Sequence, residues 1–378
     1  MNHAILNQKA SSELIMTCNG TKKICLFNTC KIWGGGEKWH HDIALKFRDK
    51  GYDVVVCTNV GSELSSRLKQ TAIPVFEINI SNLSFLNPFK LYRIYRFFNT
   101  QQIDTVILGL PSDVKSGGIA AKLAGVQKII YRRGTALPVK NSLLNKFIFK
   151  YVVTNVITNS LEIKRKFLEH NPNLFPTKNI HVIYNGIEPN GNGYDSKQKL
   201  NGFHKQIILG NAGRLVEQKG QKYLIELAAL LKQQQVDFKI KVAGKGHLKE
   251  TLLSYAKKLR VDDCIEFLDF VYDMNNFFKS IDIFLLPSLH EGSANIVLEA
   301  MYHSKPVIAF NISSMPEIIE NDKTGYLIKF PDIVEFSEKV KYLAENYAFR
   351  KEMGENAHKK VQYQFDFNKN ILQLEELI

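Results

Sequence analysis

Short apolar runs alternate with segments of helical spacing along almost the whole chain. "KICLFNT" (23–29) is compactly apolar, and in "WGGGEKWHHDIALKFRDKG", which follows it, Trp39, Ile43, Ala44 and Phe47 recur on one helical face. "YDVVVCTN" (52–59) is apolar again, so the pattern predicts strand, glycine loop, helix, strand. The same order returns with "IDTVILGL" (103–110), "QKIIYRRG" (127–134), "YVVTNVITNS" (151–160) with a helix from about Leu161, and a short strand near 180. A Gly/Asn/Lys-rich stretch then breaks the pattern, and the alternation restarts. Strands are predicted at 206–213, 237–244, in "CIEFLDF", in "IDIFLLPS", in "KPVIAF" and in the edge-like "YLIKF", with helices in "GQKYLIELAALLKQQQ", "HLKETLLSYAKKLR", "NNFFKS" and "NIVLEAMYHS". Short strands alternating with helices in both halves predict an α/β chain with two Rossmann-like parallel sheets, each covered by helices on both faces. Ligands of such sheets lie beyond the carboxyl ends of the strands, and the expected site is a cleft that the two domains face. The expected divisions are a lead-in over 1–22, a first domain over 23–190, a linker over 191–204, a second domain over 205–360, and a last segment over 361–378. In that segment Phe367, Ile371 and Leu374 have the spacing of a docked helix.

A chain of 378 residues, 45% apolar and 23% charged, is large enough for two such domains. It holds no uninterrupted apolar run long enough to span a bilayer, and the opening has no long apolar stretch or small-residue cleavage pattern, which argues against secretion. Cys18, Cys25, Cys30, Cys57 and Cys264 are odd in number and lack metal-ligand spacing, as reduced cytosolic thiols do. Charge sharpens the picture. Residues 1–200 hold 27 Lys+Arg against 13 Asp+Glu, whereas the remainder holds 23 against 24. A basic first half suits nucleic acid, an anionic membrane surface or an anionic small molecule. No zinc module, RNA-recognition signature or separate basic recognition domain is present, which disfavours nucleic acid. "NPFKLYRIYRFF" (87–98) and "PVKNSLLNKFIFKYVV" (138–153) interleave cations with aromatic and aliphatic residues. Such helices lie on anionic lipid, or pack their aromatics on a sheet with the cations outward.

The chemistry concentrates in three stretches. "HEGSANIVLEA" places Glu291 and Glu299 with seven residues between them, after an apolar run. With Ser293 as N-cap of a helix, the two acids would stand about 12 Å apart along a continuous helix. That is wider than the about 5 Å or about 6.5–9.5 Å carboxylate pairs that hydrolyse glycosides. Two acids so placed can instead accept hydrogen bonds from separate sets of hydroxyls, while amides from Gly292 through Ser293 and Ala294 to Asn295 face an anion. A diol, a phosphate and a second diol describe a nucleotide-sugar. In "GRLVEQKG" (213–220), Arg214 follows a strand and Lys219 precedes a helix, so a guanidinium and an ammonium can neutralise a diphosphate. "GGGE" (34–37) permits close backbone approach after the first strand, yet neither it nor "GKG" (244–246) has the spacing of a dinucleotide fingerprint or a Walker A loop.

Taken in order, "GGGE" (34–37), "NSLEIKR" (159–165), "VIYNGIE" (182–188), "GRLVEQKG" (213–220), "GKGHL" (244–248) and "EGSANIVLEAM" (291–301) resemble a retaining glycosyltransferase of family four, with the GT-B fold. The likeness to bacterial lipopolysaccharide and capsule enzymes runs from about residue 23 to 376. It implies a nucleoside diphosphate sugar, UDP- or GDP-linked, held mainly by the second domain, with no cofactor, no metal, and retained anomeric configuration. It also implies a glycan or lipid-linked acceptor at the first domain and a cytoplasmic enzyme, peripheral on the inner membrane face where the basic half meets lipid. Residue by residue, Glu291 resembles the acid that binds sugar hydroxyls, Glu299 the acid that holds the ribose diol, and Arg214 with Lys219 the diphosphate clamp. Gly213, Gly292, Ser293, Ala294 and Asn295 fall in the donor-binding turns. Gly34 and Gly35 resemble the loop that closes over the phosphates, Asn185 and Gly186 the turn before the linker, and the last segment a helix crossing back to the first domain.

The chain also departs from this pattern. Where many members carry a histidine near the transferred sugar, "YRRG" supplies Arg132 or Arg133, and an arginine positions or stabilises charge but is no base near neutral pH. Ala294 replaces a usual proline, and "GKGH" with Lys245 and His247 replaces an acid-containing "GDG". With no carboxylate placed to attack the anomeric carbon, same-face substitution is the expected course, the departing phosphate taking the acceptor proton. The competing readings are another GT-B enzyme of epimerase or phosphorylase type, and a non-catalytic nucleotide-sugar-binding or scaffold protein.

Overall fold

A computed structural model describes residues 22–188, 206–292 and 294–378. Most of the lead-in, the linker over 191–204, Cys18 and Ser293 therefore lie outside the described residues. The strands form two sheets. The first has seven strands in the order β3-β2-β1-β4-β5-β6-β7, built from β1 (Lys23–Asn28), β2 (Asp53–Thr58), β3 (Val75–Glu77), β4 (Thr105–Leu108), β5 (Lys128–Arg133), β6 (Asn155–Thr158) and β7 (Ile180–Val182). The second has six in the order β10-β9-β8-β11-β12-β13, from β8 (Ile207–Ala212), β9 (Phe238–Ala243), β10 (Ile265–Asp269), β11 (Ile283–Leu286), β12 (Val307–Phe310) and β13 (Gly325–Ile328). Pairings are parallel, with Cys25 opposite Val55 and Leu209 opposite Ile240. The two helix-flanked parallel sheets are those that the alternation predicts, and with a C-terminal helix they make the GT-B architecture that the resemblance implies.

The second sheet shows why its strands read as unbroken apolar runs. Ile283 and Leu285 of β11, with Ile308 and Phe310 of β12, enter one core together with Leu224, Leu227, Ala228 and Leu231 of the helix Lys222–Gln233. Phe284 and Leu286, with Val307 and Ala309, enter a second core with Val297, Leu298 and Met301 of the helix Asn295–Tyr302. Successive side chains point to opposite faces, and both faces are covered, so no polar position interrupts the strand. In the first half, the helix Gly35–Asp49 buries Trp39, Ile43, Ala44 and Phe47, the face its spacing predicts.

Three details differ from the sequence expectations. The short edge strand β3 is absent from them, because three half-buried residues carry too little pattern. The run 151–160 becomes a strand only from Asn155, since Tyr151 ends the helix Leu143–Tyr151. The end of the chain is two helices, Tyr347–Gln364 and Phe367–Glu375, the second capped by Asp366 accepting from the Lys369 amide. Phe367, Ile371 and Leu374 are buried as their spacing predicts. That last helix docks on the chain after β7. Ile187 N–H donates to Phe365 O at 2.9 Å, Asn370 Nδ2 to Tyr184 O at 2.8 Å, and a side chain on Gly186 would strike the Phe367 backbone at 2.4 Å. Among the described residues, no helix is long and apolar enough to cross a membrane.

Candidate active site

The chain divides into two compact units, residues 1–132 with 146–156, and residues 133–145 with 157–378. Most of the predicted donor-binding residues fall in the second, where the carboxyl ends of β8, β9 and β11 run into loops laced to one another. Gly213 N–H donates to Ala243 O at 2.9 Å, Leu215 N–H to Lys245 O at 3.0 Å, and Leu248 N–H to Leu215 O at 3.2 Å, which ties "GRLVEQKG" to "GKGHL". His247, exposed, adds a contact of 3.1 Å to Glu217. Two glycines here are dictated by geometry. Gly244 has φ +140°, and a Cβ on it would lie 1.9 Å from Gly213 O; Gly220 has φ +65°, and its Cβ would lie 2.0 Å from Pro287 O.

The third loop joins through polar bonds. Leu289 N–H donates to Gln218 O at 2.8 Å, Gln218 Nε2 to His290 O at 2.7 Å, and Lys219 Nζ to Glu291 Oε1 at 2.7 Å. The sequence places Lys219 on a diphosphate and Glu291 on a sugar; the structure brings them into one ion pair. The Glu291 side chain is 5% exposed and that of Lys219 19%, so the pair is largely shielded from water. Such a pair costs desolvation to form, and each charge depends on the other once formed. Arg214 is exposed in the same loop, and its carbonyl accepts from Gln221 Nε2 at 3.0 Å. Ser288 Oγ, Gln221 Oε1 and Asn211 Oδ1 are buried in this region without a protein partner among the described residues.

The segment after Glu291 corrects one expectation. The helix begins at Asn295, with Ala294 at the N-cap position and no side-chain cap, so Glu291 and Gly292 lie outside it and the continuous-helix spacing of the two acids does not hold. Glu299 sits half-buried in that helix. Gly292 packs so closely that a Cβ would lie 2.4 Å from Gly134 O. Asn295 Oδ1 accepts from Asn185 Nδ2 at 2.8 Å, so these two predicted residues do meet. Glu317 accepts from the Leu161 and Glu162 amides at 2.7 and 2.9 Å and from Tyr184 Oη at 3.0 Å, a junction absent from the sequence reading.

In the first unit, the glycines of "GGGE" open a helix rather than a free loop. Gly35 is the first helical residue, and Gly34 at the N-cap has φ −161°, an extended value open to any residue. A Cβ on Gly34 would meet Glu37 Oε2 at 3.2 Å. Behind Glu37 lies a buried polar cluster at the strand ends. Asn28 Nδ2 donates to Glu37 Oε1 at 3.2 Å, and His40 Nδ1 donates to Gly36 O at 2.8 Å, leaving Nε2 buried without a partner among the described residues. Asp113 accepts from the Thr29 hydroxyl, from Thr29 N–H at 3.3 Å and from Leu110 N–H at 3.0 Å. Burial pushes its carboxyl up to about 7 despite these donors. Burial, seconded by the Arg132 charge, lowers His40 to about 3, so it stays neutral. Arg132 lies 4.2 Å over the Trp39 ring, and burial lowers it to about 10. Its neighbour Arg133, pointing the other way along β5, donates to Leu137 O and lies 5.8 Å from the Phe167 ring. The two arginines that the sequence leaves as alternatives thus have different surroundings.

No group of three or more His, Cys, Asp or Glu among the described residues could hold a metal ion. A "Glycosyltransferase Family 4" family model matches residues 33–190, and a "Glycosyl transferases group 1" model matches residues 194–360. With the two-sheet fold, these tandem matches make the chain a glycosyltransferase of the GT-B class, family 1/4. It is 25% identical over 336 residues to the capsular polysaccharide biosynthesis glycosyltransferase CapM of Staphylococcus aureus, covering 84% of this chain and 87% of that one. It is 26% identical over 317 residues to the UDP-Gal:alpha-D-GlcNAc-diphosphoundecaprenol alpha-1,3-galactosyltransferase of Escherichia coli, covering 78% and 80%. Anabaena HepE, solved in complex with UDP, superimposes with a TM-score of 0.81 at 22% identity, over 94% of this chain and 98% of that one.

Proposed function

We propose that the protein transfers a sugar, with retention of configuration, from a UDP-sugar to a hydroxyl of a glycan or lipid-linked acceptor in bacterial surface polysaccharide assembly. The observation that carries this is the Lys219–Glu291 pair, fixed where the loops after β8, β9 and β11 are bonded together. A cation and a carboxylate in contact there can divide the donor between them, the ammonium toward the diphosphate and the carboxylate toward sugar hydroxyls. Arg214, exposed in the same loop, adds the second positive charge, and Glu299 takes the ribose diol. The choice of a UDP donor is supported by the relatives whose names or bound ligands carry UDP.

In the reaction the bond from the anomeric carbon to the β-phosphate oxygen breaks, and a bond from the acceptor oxygen forms on the same face. The acceptor proton passes to the departing diphosphate, whose growing charge Arg214 and Lys219 stabilise. Residues 23–190 would receive the acceptor, 205–360 the donor, and 361–378 would brace the fold. The exposed side chains of Phe89, Tyr92, Leu143 and Phe147 among lysines and arginines favour a peripheral position on an anionic membrane. A thermal-shift screen of UDP-, GDP- and ADP-sugars, followed by radiolabel transfer to a lipid-linked oligosaccharide, tests the reading. Stabilisation and transfer with a UDP-sugar are the expected results; a folded protein indifferent to every donor would refute it.

A further inference from the structure

The peptide unit joining His290 to Glu291 is pinned at both ends. Its carbonyl accepts from Gln218 Nε2 at 2.7 Å, and its N–H donates to Ser313 Oγ at 3.4 Å. The same hydroxyl lies 3.3 Å from His290 Nδ1. A hydroxyl has one proton and two lone pairs, so accepting from Glu291 N–H leaves Ser313 free to donate to Nδ1. With its proton and its second lone pair the hydroxyl can meet either His290 tautomer at Nδ1. Ser313 reaches this place from the turn after β12 with φ +49°, a left-handed conformation that a residue with a Cβ rarely adopts. Backbone geometry of this kind persists where surrounding contacts hold it, and it gathers at functional sites.

We propose that Ser313 and Gln218 are positioning residues that fix the direction of the Glu291 carboxylate by holding the peptide plane in front of it. The left-handed turn is what brings the serine hydroxyl under that plane. Neither residue touches the substrate; both act through Glu291. This rests on the sugar-transfer reading above.

Glycine at 313 separates the hydroxyl from the backbone, because glycine accepts positive φ without strain. Ser313→Gly therefore keeps or raises the melting temperature, while kcat/KM for transfer falls about tenfold, the scale of one hydrogen bond in a reacting complex. Gln218→Ala, on an exposed side chain, gives a loss of similar size. Because both pins serve one peptide unit, the double variant loses little more than the worse single one. Calorimetric affinity for UDP stays within about twofold of wild type in all three, since the diphosphate clamp is intact. Wild-type kinetics in Ser313→Gly, or multiplicative losses in the double variant, would overturn the assignment. Failure of the function itself looks different, because then the wild type neither binds UDP nor turns over any nucleotide-sugar.

Discussion

Lys219 Nζ stands 2.7 Å from Glu291 Oε1, across 72 positions of sequence, with the carboxylate side chain 5% exposed. Removing either charge strands the other in a dry setting. Lys219→Met should cost about 3 kcal/mol of stability, the scale measured when one partner of a buried pair is removed. Lys219→Met with Glu291→Gln should recover most of that stability and none of the turnover. Chemical denaturation and transfer kinetics on the single and the double variant check this. Recovery of activity along with stability would assign the pair to folding alone.

Arg214 and Glu299 separate by the kinetic constant they affect. Arg214 is exposed, so Arg214→Ala should leave the melting temperature within a degree or two and lower kcat by two orders of magnitude, as loss of transition-state charge stabilisation does. Glu299→Ala should chiefly raise the donor KM, about tenfold, with kcat little changed. Unchanged affinity for the nucleotide in Glu299→Ala would remove the ribose role.

The buried groups of the first unit set a pH dependence of stability. His40 is lowered to about 3 from its ordinary 6.5, so the stability its neutral form contributes is present above pH 6.5 and is lost as pH falls toward 3. Asp113 is raised to about 7 from 3.8, so its contribution is full below its ordinary value and is lost as pH rises through 7. Unfolding midpoints in urea should show His40→Asn losing less stability than wild type between pH 6.5 and 4, and Asp113→Asn losing less between pH 5 and 8. Parallel curves for wild type and variants would contradict these shifts.

Phe89 is 84% exposed and Leu143 85%, each beside cations on its own helix. Sedimentation with vesicles containing phosphatidylglycerol should therefore exceed that with neutral vesicles and weaken with salt. Phe89→Ser with Leu143→Ser should reduce it several-fold without altering the melting temperature. Equal binding to neutral vesicles would remove the membrane from the account.

Much of the fold is legible in the sequence because its strands are covered on both faces. Phe284 and Leu285 point to opposite cores, and both must be apolar, so the run stands out against flanking helices. Val75–Glu77 does not stand out, since an edge strand of three half-buried residues needs no such run. The loops that carry Lys219 and Glu291 are likewise legible, since charged residues next to strand ends and glycines are conspicuous. What sequence cannot show is that the two charges meet each other, because the contact depends on β11 returning, after β9 and β10, to pair beside β8. Gln218 is hidden for the same reason: a glutamine beside a lysine acquires meaning only when His290 O is found 2.7 Å away. The cluster of Asn28, Glu37, His40 and Asp113 is scattered over the end of β1, the helix Gly35–Asp49 and the turn after β4, and only the pairing of β1 with β4 assembles it.

Isothermal titration of UDP into the wild type and into Arg214→Ala with Lys219→Met is the most direct measurement. One-to-one binding to the wild type, weakened at least tenfold in the folded double variant, is the predicted result. A folded wild type that takes up no UDP, or a double variant that binds it equally well, would contradict the claim that these loops hold a nucleoside diphosphate.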